Sequence, residues 1–461
     1  MIESSHKRLI FAVCVAQFFM PFMMSGVNAV LPPLGEELGA SARELSLVGT
    51  FYSLGLVVFQ LPAGSLGDIW GRRRVFMCGV AIFAVSCGAL GSVSSMPLFL
   101  GLRFLQGVGG ALFNASGLAL LASASTPDKR AIYLGFSTTT VYAGVACGPP
   151  VAGFIAEVFG WRWLFWGNAA AMAAALLLMK LSVKLEWRTA KGQPFDFRGC
   201  TLYALAMTAL TFGASTLAFH PESASFLILL FVFLLFAFVL CELKTFHPLL
   251  DVRFLVQHRV FALSSLAAFI NYSSIFGMIF FFSLFLQTGH GLDTRQAGLF
   301  LAVQPLAQLL TTPLAARLCL IWDAGKLSAV GVALCGLGLL AAAFLDLSSP
   351  IWNLAVAQCL LGCGTSFFSM PNTTIILESA GKEHLGQASG LTGAVRNAGQ
   401  LFNMVVVTIT LSLLLGHESV SGQNFGVFLN CMKIDLIIFG VLNLLAVGCA
   451  LVRNKTSDRR A

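Results

Sequence analysis

Charged side chains are scarce in this chain: Asp, Glu, Lys and Arg make up 10% of its 461 residues, while 57% are hydrophobic. A soluble globule needs far more polar surface to clothe itself, so a water-soluble fold is excluded. Phosphate-binding GxxxxGK[ST] loops, HExxH motifs and CxxC pairs are missing, and histidine is down to seven residues. Nothing therefore points to ATP-driven transport, metalloprotease or dithiol chemistry. No catalytic residue, cofactor or metal is expected, and the chain does not read as an enzyme. The twelve cysteines are scattered singly through apolar stretches. Cys359 and Cys363 share a helical face, where small-residue packing is a better fit than a metal site.

Apolar length is what the chain has in abundance. A bilayer core of roughly 30 Å needs about 20 apolar helical residues. The sequence divides into about fourteen such segments, at 9–31, 45–66, 75–94, 97–123, 131–156, 163–183, 199–219, 225–243, 260–288, 296–320, 326–346, 351–377, 387–415 and 432–453. The expected fold class is an all-α polytopic membrane protein. The first segment follows Lys7 and Arg8, but its apolar run is longer than a signal core and lacks a small-residue cleavage site, so it reads as an uncleaved helix.

The formal charge of +8 raises the question of a nucleic-acid partner. With the N-terminus inside, about 22 of the 28 Lys and Arg fall in cytoplasmic loops and tails. Arg43, Arg162, Arg295 and Lys433 lie outside, and Arg103 and Arg396 lie within helices. The basic excess is topological and implies no nucleic acid. Both termini are expected in the cytoplasm, in a plasma membrane, which for a bacterium is the inner one.

One offset of 255 residues superposes the fourth and fifth segments on the twelfth and thirteenth, placing Gly107 on Gly362, Gly109 on Gly364, Phe113 on Phe368, Gly135 on Gly390 and Gly144 on Gly399. Seven glycines occur in each 48-residue window beginning at Arg103 and Gln358, and four coincide where chance gives about one. The same shift carries Asp68 onto Asp323 and Asp128 onto Glu383. Two six-helix bundles of the same orientation follow, with the spans at 199–219 and 225–243 inserted between them. The expected domains are an N-terminal bundle at 1–190, an inserted helix pair with its linkers at 191–258, and a C-terminal bundle at 259–461. Parallel repeats about an axis along the membrane normal are a transporter pattern, with substrate near the midplane between halves that rock to alternate access. A single copy is sufficient for such a plan.

The densest charge lies in Gly64-Ser-Leu-Gly-Asp68-Ile-Trp-Gly71-Arg72-Arg73-Arg74, a short turn between apolar segments that must lie outside the hydrocarbon. At Gly64, Asp68, Gly71, Arg72 and Arg73 it resembles the loop signature of the major facilitator superfamily. The resemblance covers nearly the whole chain and implies that family's fold and transport by alternating access. In that family the aspartate meets the positive N-terminal end of a helix in the opposite half and helps close a cytoplasmic gate. Carried over, that helix begins near Gly386, Gln387 and Ala388. A carboxylate there gains roughly 0.3 to 1 kcal/mol, enough to bias two near-equal states. Without the resemblance, the same residues make a stable turn with snorkelling arginines.

Arg103 opens RFLQGVGGALFNA inside an apolar segment, where a charge needs an internal partner. With Gln106, Gly107 and Gly109 it resembles the family's buried fourth-helix arginine, which implies a part in proton relay. A structural arginine bonded to carbonyls is the other reading. The stretch Gly144, Gly148, Pro149, Pro150 and Gly153 resembles the signature associated with exporters and antiporters, although such small-residue spacing also marks ordinary helix packing. Phe159–Ala169 (FGWRWLFWGNA) fits an interface anchor through Trp161, Trp163 and Trp166. With the inserted pair and the flanking PFDFRG (194–199) and HPLLDVRF (247–254), the chain looks like the fourteen-helix drug:proton antiporter branch.

One departure concerns coupling. Members of that branch often carry an acid in the first helix, and alignment on Asn28, Leu31 and Pro32 puts Met23 in its place. Proton coupling needs a group that loads on one side and unloads on the other. Glu378 and Glu242 are the remaining acids near helix ends, with Glu378 the first choice. Arg396, beside Asn397 and Gln400, is a second buried cation, for which attraction of an anionic substrate and a gating or packing role both stand.

In the family, helices one, four, seven and ten of the common twelve line the cavity. They correspond here to the first, fourth, ninth and twelfth segments and offer Phe22, Met23, Met24 and Asn28; Phe113 and Asn114; Asn271, Tyr272, Phe276 and Phe280; and Phe368, Met370 and Asn372. Aromatic and methionine walls with a few amides suit amphipathic organic molecules. The expected function is a secondary exporter of small amphipathic organic compounds or drugs that exchanges them for protons. An importer or facilitator of a specific organic anion, and a non-transporting membrane sensor, are the alternatives.

Overall fold

Each helix begins and ends where the local chemistry requires. In the computed structural model, which describes residues 2–457 apart from 125–126, 183–184, 189, 218–219, 247, 251, 254–257, 381–384, 417–419 and 421–422, the described residues form helices and turns, with no strand among them. The side chains of 2–7, 118, 122–124, 127–136, 138, 182, 320, 377–378, 380, 385–390 and 452–457 also lie outside the description. The order is α1 (Ile2–Ala29), the short α2 (Leu31–Leu38), α3 (Ala42–Trp70), α4 (Arg72–Leu90), α5 (Met96–Ala124), α6 (Pro127–Phe159) and α7 (Arg162–Ser182). Next come α8 (Phe197–Thr216) and α9 (Pro221–Lys244). The remainder is α10 (Arg259–Ile275), α11 (Met278–Leu284) with a π turn over Phe285–Gly289, α12 (Thr294–Leu301), α13 (Val303–Ile321), α14 (Ala324–Ala343), α15 (Ile351–Ala380), α16 (Leu385–Leu414) and α17 (Phe425–Ser457).

Ser41 and Glu44 form a reciprocal capping box at the start of α3, and Asp196, Asp293 and Asp323 cap α8, α12 and α14 through side-chain acceptance from a backbone N–H. Gly39 closes α2 at φ +62°, in the left-handed region. The expected single spans at 260–288 and 296–320 are each broken, the first around Phe276–Gly277 and the second at Ala302.

Thirteen stretches among the described residues are long and apolar enough to cross a membrane. The fourteenth expected span, 199–219, is the 20-residue α8. It packs on α9, α3 and α16, burying Tyr203, Met207 and Thr211, and so needs less lipid-compatible surface. Its partner α9 is apolar all round, with Phe226, Leu229, Phe233 and Phe236 exposed.

The helix contacts recur along the chain. α1 lies along α6, and α3 and α4 lie along α5; later, α10 lies along α16, and α13 and α14 lie along α15. Glycines at the 255-residue offset make equivalent crossings. A methyl at Gly107 would strike the Tyr52 carbonyl on α3, and one at Gly362 the Gln304 carbonyl on α13. At Gly109 it would sit 2.6 Å from the Phe83 nitrogen of α4, and at Gly364 it would sit 2.7 Å from the Cys335 nitrogen of α14. At Gly144 it would strike the Phe18 carbonyl of α1, and at Gly399 it would lie 2.8 Å from the Phe269 carbonyl of α10. Close backbone approach without a Cβ is what small residues provide where apolar burial supplies no drive between helices. Gly135 and Gly390 lie outside the described side chains.

Candidate functional site

The charged turn is tighter than a loop. α3 runs through Trp70 and α4 starts at Arg72, leaving Gly71 alone between them at φ +120°, where a side chain is strained. Asp68 holds Arg72 at 2.7 Å, one turn later, and Arg72 also reaches the Ala119 carbonyl of α5 at 3.3 Å. The segment after α7 straps over this turn: Arg73 N donates to Glu186 at 2.9 Å, Arg72 N to the Trp187 carbonyl at 3.0 Å and Ala190 N to the Asp68 carbonyl at 3.1 Å. Gly64 has open space beside it. Glu186 was invisible to sequence reasoning because it lies in a linker more than a hundred residues away. The start of α16 at Gly386, Gln387 and Ala388 lies outside the described side chains, as does Asp128, while Glu383 falls in an undescribed segment. Asp323, matched to Asp68 by the repeat, instead caps α14 by accepting from Lys326 N at 2.8 Å.

At the opposite end, α6 is wedged between α1 and α12. A methyl at Gly148 would strike Ser25 Oγ and lie 2.7 Å from the Phe22 carbonyl, while one at Gly153 would lie 2.5 Å from the Thr294 carbonyl. Gly298 of α12 answers by meeting the Pro149 carbonyl. The glycine series of α6 thus serves two neighbours at once, one from α1–α7 and one from α10–α17. Further bonds fasten these two helix sets. Ser283 Oγ donates to the Asn28 carbonyl at 2.5 Å and Gln287 Nε2 to the Ala29 carbonyl at 2.9 Å. Thr408 of α16 lies 3.0 Å from Ser46 and 3.3 Å from Thr50, and Asn397 Nδ2 donates to Gln60 Oε1 at 3.1 Å. A cleft of about 500 Å³ opens beside this end, lined by α2, the start of α3, Leu284 and Thr288.

Arg103 is 2% exposed and fully occupied. Its Nε donates to the Val48 carbonyl at 3.2 Å, Nη1 bonds Gln106, and the guanidinium stacks 4.5 Å from the Tyr52 ring centroid. Gln106 passes the network to Cys87 Sγ at 2.9 Å. Carbonyl, amide and π-face together replace the counter-ion that a buried cation needs.

A second cluster draws on both helix sets. The Tyr142 hydroxyl of α6 faces the Gln308 amide of α13 and lies within electrostatic reach of Tyr272 on α10 and Arg396 on α16. Tyr272 Oη and Ser369 Oγ are 3.1 Å apart. Arg396 is half-buried near the middle of α16 and makes no hydrogen bond or ion pair among the described residues.

The other cavity candidates are dispersed. Phe113 stands edge-on to Phe76 and Phe83, with ring centroids 6.1 and 5.5 Å away, and Phe368 is packed among Ala267, Ala268, Val332 and Ala446. Asn271 donates to Asn443 of α17 at 3.1 Å, and Asn372 to the Ser264 carbonyl at 3.1 Å. Met23 and Asn114 are buried, Asn28 donates back to the Met24 carbonyl at 3.0 Å, and Phe276 is half-buried. Of the amide and aromatic candidates, Tyr272 stands in the Tyr142–Arg396 cluster. The side chain of Glu378 lies outside the described residues. Trp163 and Trp166 are exposed, as interface anchors would be, but Trp161 is only 3% exposed, packed on Phe99 and Phe165 and donating to Glu37 at 2.6 Å. The Glu37 carboxyl, at the end away from the Asp68 turn, is held below its ordinary value: slight burial works upward and is outweighed by bonds from Arg162 and Trp161.

Asp435 escaped the sequence reading, because the expected final span began at 432 and left it at a boundary. In the structure α17 starts at Phe425, and Asp435 is fully buried, accepting from Thr410 of α16 at 2.7 Å with its second oxygen unpartnered among the described residues. An aspartate flanked by apolar residues within a long apolar run was the available signal.

The Major Facilitator Superfamily profile matches residues 13–404 and, in an overlapping match, 264–460. Multidrug resistance protein Stp of Mycobacterium tuberculosis is 28% identical over 84% of this chain and 73% of its own length. The methylenomycin A resistance protein of Bacillus subtilis is 28% identical over 84% of each chain. A crystal structure of a POT family transporter in complex with 5-aminolevulinic acid superposes with TM-score 0.73 over 96% of this chain and 95% of that one, at 15% identity, a likeness of fold. With the profile running over most of its length, the chain belongs to the major facilitator superfamily and is a multi-pass membrane transporter of small molecules.

Proposed function

We propose that this transporter exports small amphipathic organic compounds in exchange for protons, by rocking two bundles about a central cleft. The bundles are residues 1–190 and 259–461, with 191–258 an inserted helix pair, and both termini face the cytoplasm of a bacterial inner membrane. The observation that carries export is the α6 seam, in which Gly148 and Gly153 let one helix touch α1 and α12 at the end away from the Asp68 turn. Two resistance proteins among its relatives support the same direction. A backbone-to-backbone seam is short-range, so it can part and re-form as a unit.

On this reading the Asp68–Arg72 turn is the cytoplasmic gate element, and Arg103 is a fixed structural cation of the first bundle. Protons are exchanged at carboxylates within the helices, with the buried Asp435 joining Glu378 as the candidates in place of the missing first-helix acid. The transporter works as a single copy. Purified protein in liposomes, loaded with a fluorescent drug under an imposed pH gradient, tests the proposal. Gradient-dependent flux is expected, and flux indifferent to the gradient would remove proton exchange and leave a facilitator.

A further inference from the structure

We propose that the Arg396 guanidinium anchors the anionic group of an amphipathic organic anion, with the Tyr142 and Tyr272 hydroxyls and the Gln308 amide around it. This rests on the proposed substrate path between the two bundles. Arg396 differs from the arginines whose partners are known. Arg72 and Arg162 hold Asp68 and Glu37, Arg74 lies 3.7 Å from Glu186, and Arg103 has a carbonyl, an amide and an aromatic face. Arg396 has no hydrogen bond or ion pair among the described residues, yet it sits near the middle of a 30-residue helix. A guanidinium at that depth is costly to leave without a counter-charge unless water or a ligand reaches it.

Its neighbours show where it points. α6 and α16 do not pack extensively on each other, yet Tyr142 of the former and Arg396 of the latter are within electrostatic reach, so the two side chains approach each other across the two helix sets. On the flanks of Arg396, Gly393 and Asn397 face Gln60 of α3, and Gly399 faces Phe269 and Ser273 of α10.

No described carboxylate shares this space. Asp435 lies between α17 and α16 against Thr410, Glu242 accepts from Leu250 N beside the inserted pair, and Glu44 caps α3. Among the described residues Arg396 is thus the charged group of the cluster, and it favours anions over lipophilic cations. The guanidinium fork suits a carboxylate or sulfonate in a bidentate arrangement, the hydroxyls and amide supply further donors, and the Tyr142 and Tyr272 rings bring aromatic surface to the cluster. Aryl carboxylates and aryl sulfonates are the closest fit.

The test is equilibrium binding to the purified full-length protein in detergent, read by fluorescence polarisation, with two dyes that share a xanthene core: fluorescein, an anion, and rhodamine 123, a cation. Fluorescein is expected to bind saturably and more tightly than rhodamine 123. Arg396→Gln should weaken it by roughly tenfold or more, the loss of a charge-assisted bond pair, while Arg396→Lys, which keeps the charge and loses the fork, should fall between the two. Rhodamine 123 binding as tightly as fluorescein, no saturable fluorescein binding, or a folded Arg396→Gln protein that binds fluorescein like the parent would each overturn the proposal. The two-dye comparison uses the unaltered chain and stands even if the variant does not fold. Fluorescein binding through Arg396 without gradient-driven flux would sink proton-coupled export and leave the anion site intact. Rhodamine 123 flux without fluorescein binding would do the reverse.

Discussion

Gly107 and Gly362 make the same contact in different parts of the molecule: each abuts the backbone carbonyl of a neighbouring helix, Tyr52 for the first and Gln304 for the second. Replacing either with leucine should destabilise the protein by about 1–3 kcal/mol or more, since the obstacle is backbone and cannot swing aside. Thermal unfolding in detergent should show comparable losses at the two sites. A strong effect at one and none at the other would break the equivalence.

Gly153 faces a different kind of neighbour, the start of α12 in the other helix set. Gly153→Leu should leave the packing within each set intact and prevent the seam from closing. Transport is expected to fall at least tenfold with the melting temperature nearly unchanged. Drug efflux measured beside unfolding separates this outcome from a folding defect.

Asp68→Asn removes the charge that holds Arg72 at 2.7 Å while keeping the shape. The pair is partly exposed, so stability should change by under about 1 kcal/mol. Resistance in a pump-deficient host should nevertheless disappear at normal expression, if the turn serves as the gate. Retained resistance would reduce the motif to a structural turn.

Asp435→Asn keeps an acceptor for Thr410 but cannot release a proton. Gradient-driven accumulation in liposomes should drop at least tenfold, while counterflow of substrate at equal pH persists. Loss of both activities would mean that the carboxyl serves packing instead.

Glu37 offers a pH signature at the membrane surface. Its depressed pKa means that the bonds from Arg162 and Trp161 add stability above the unfolded value, and that this increment fades as pH falls through the folded value. The Glu37 side chain is 50% exposed, so the effect should stay below about 1 kcal/mol. Glu37→Gln should lower the melting temperature at pH 7 and match the parent in strongly acidic buffer.

The residues divide clearly in how legible they were. Gly107, Gly109 and Gly144 could be read in the chain because helix crossings tolerate no Cβ, and composition alone records that. Arg103 announced itself as a buried charge, yet its partners Val48, Tyr52 and Gln106 come from two helices and depend on their rotation. Phe113 and Phe368 matched as a pair, but a phenylalanine is equally at home in a bundle interior and a cavity wall, so only packing could assign them. Trp161 looked like an interface residue beside Trp163 and Trp166, and a turn of helix placed it against Phe99 instead.

Sequence by itself determined the membrane class, the repeat and the glycine crossings, because hydrocarbon imposes length and apolarity on every span and close approach imposes small residues at fixed spacing. Tertiary structure decided which polar groups meet. Helices from distant parts of the chain bring Tyr142 to Arg396, Thr410 to Asp435 and Glu186 to Arg73, and no local pattern encodes those azimuths. A helix fixes the direction of its side chains only relative to its own axis, and packing against its neighbours sets the rest.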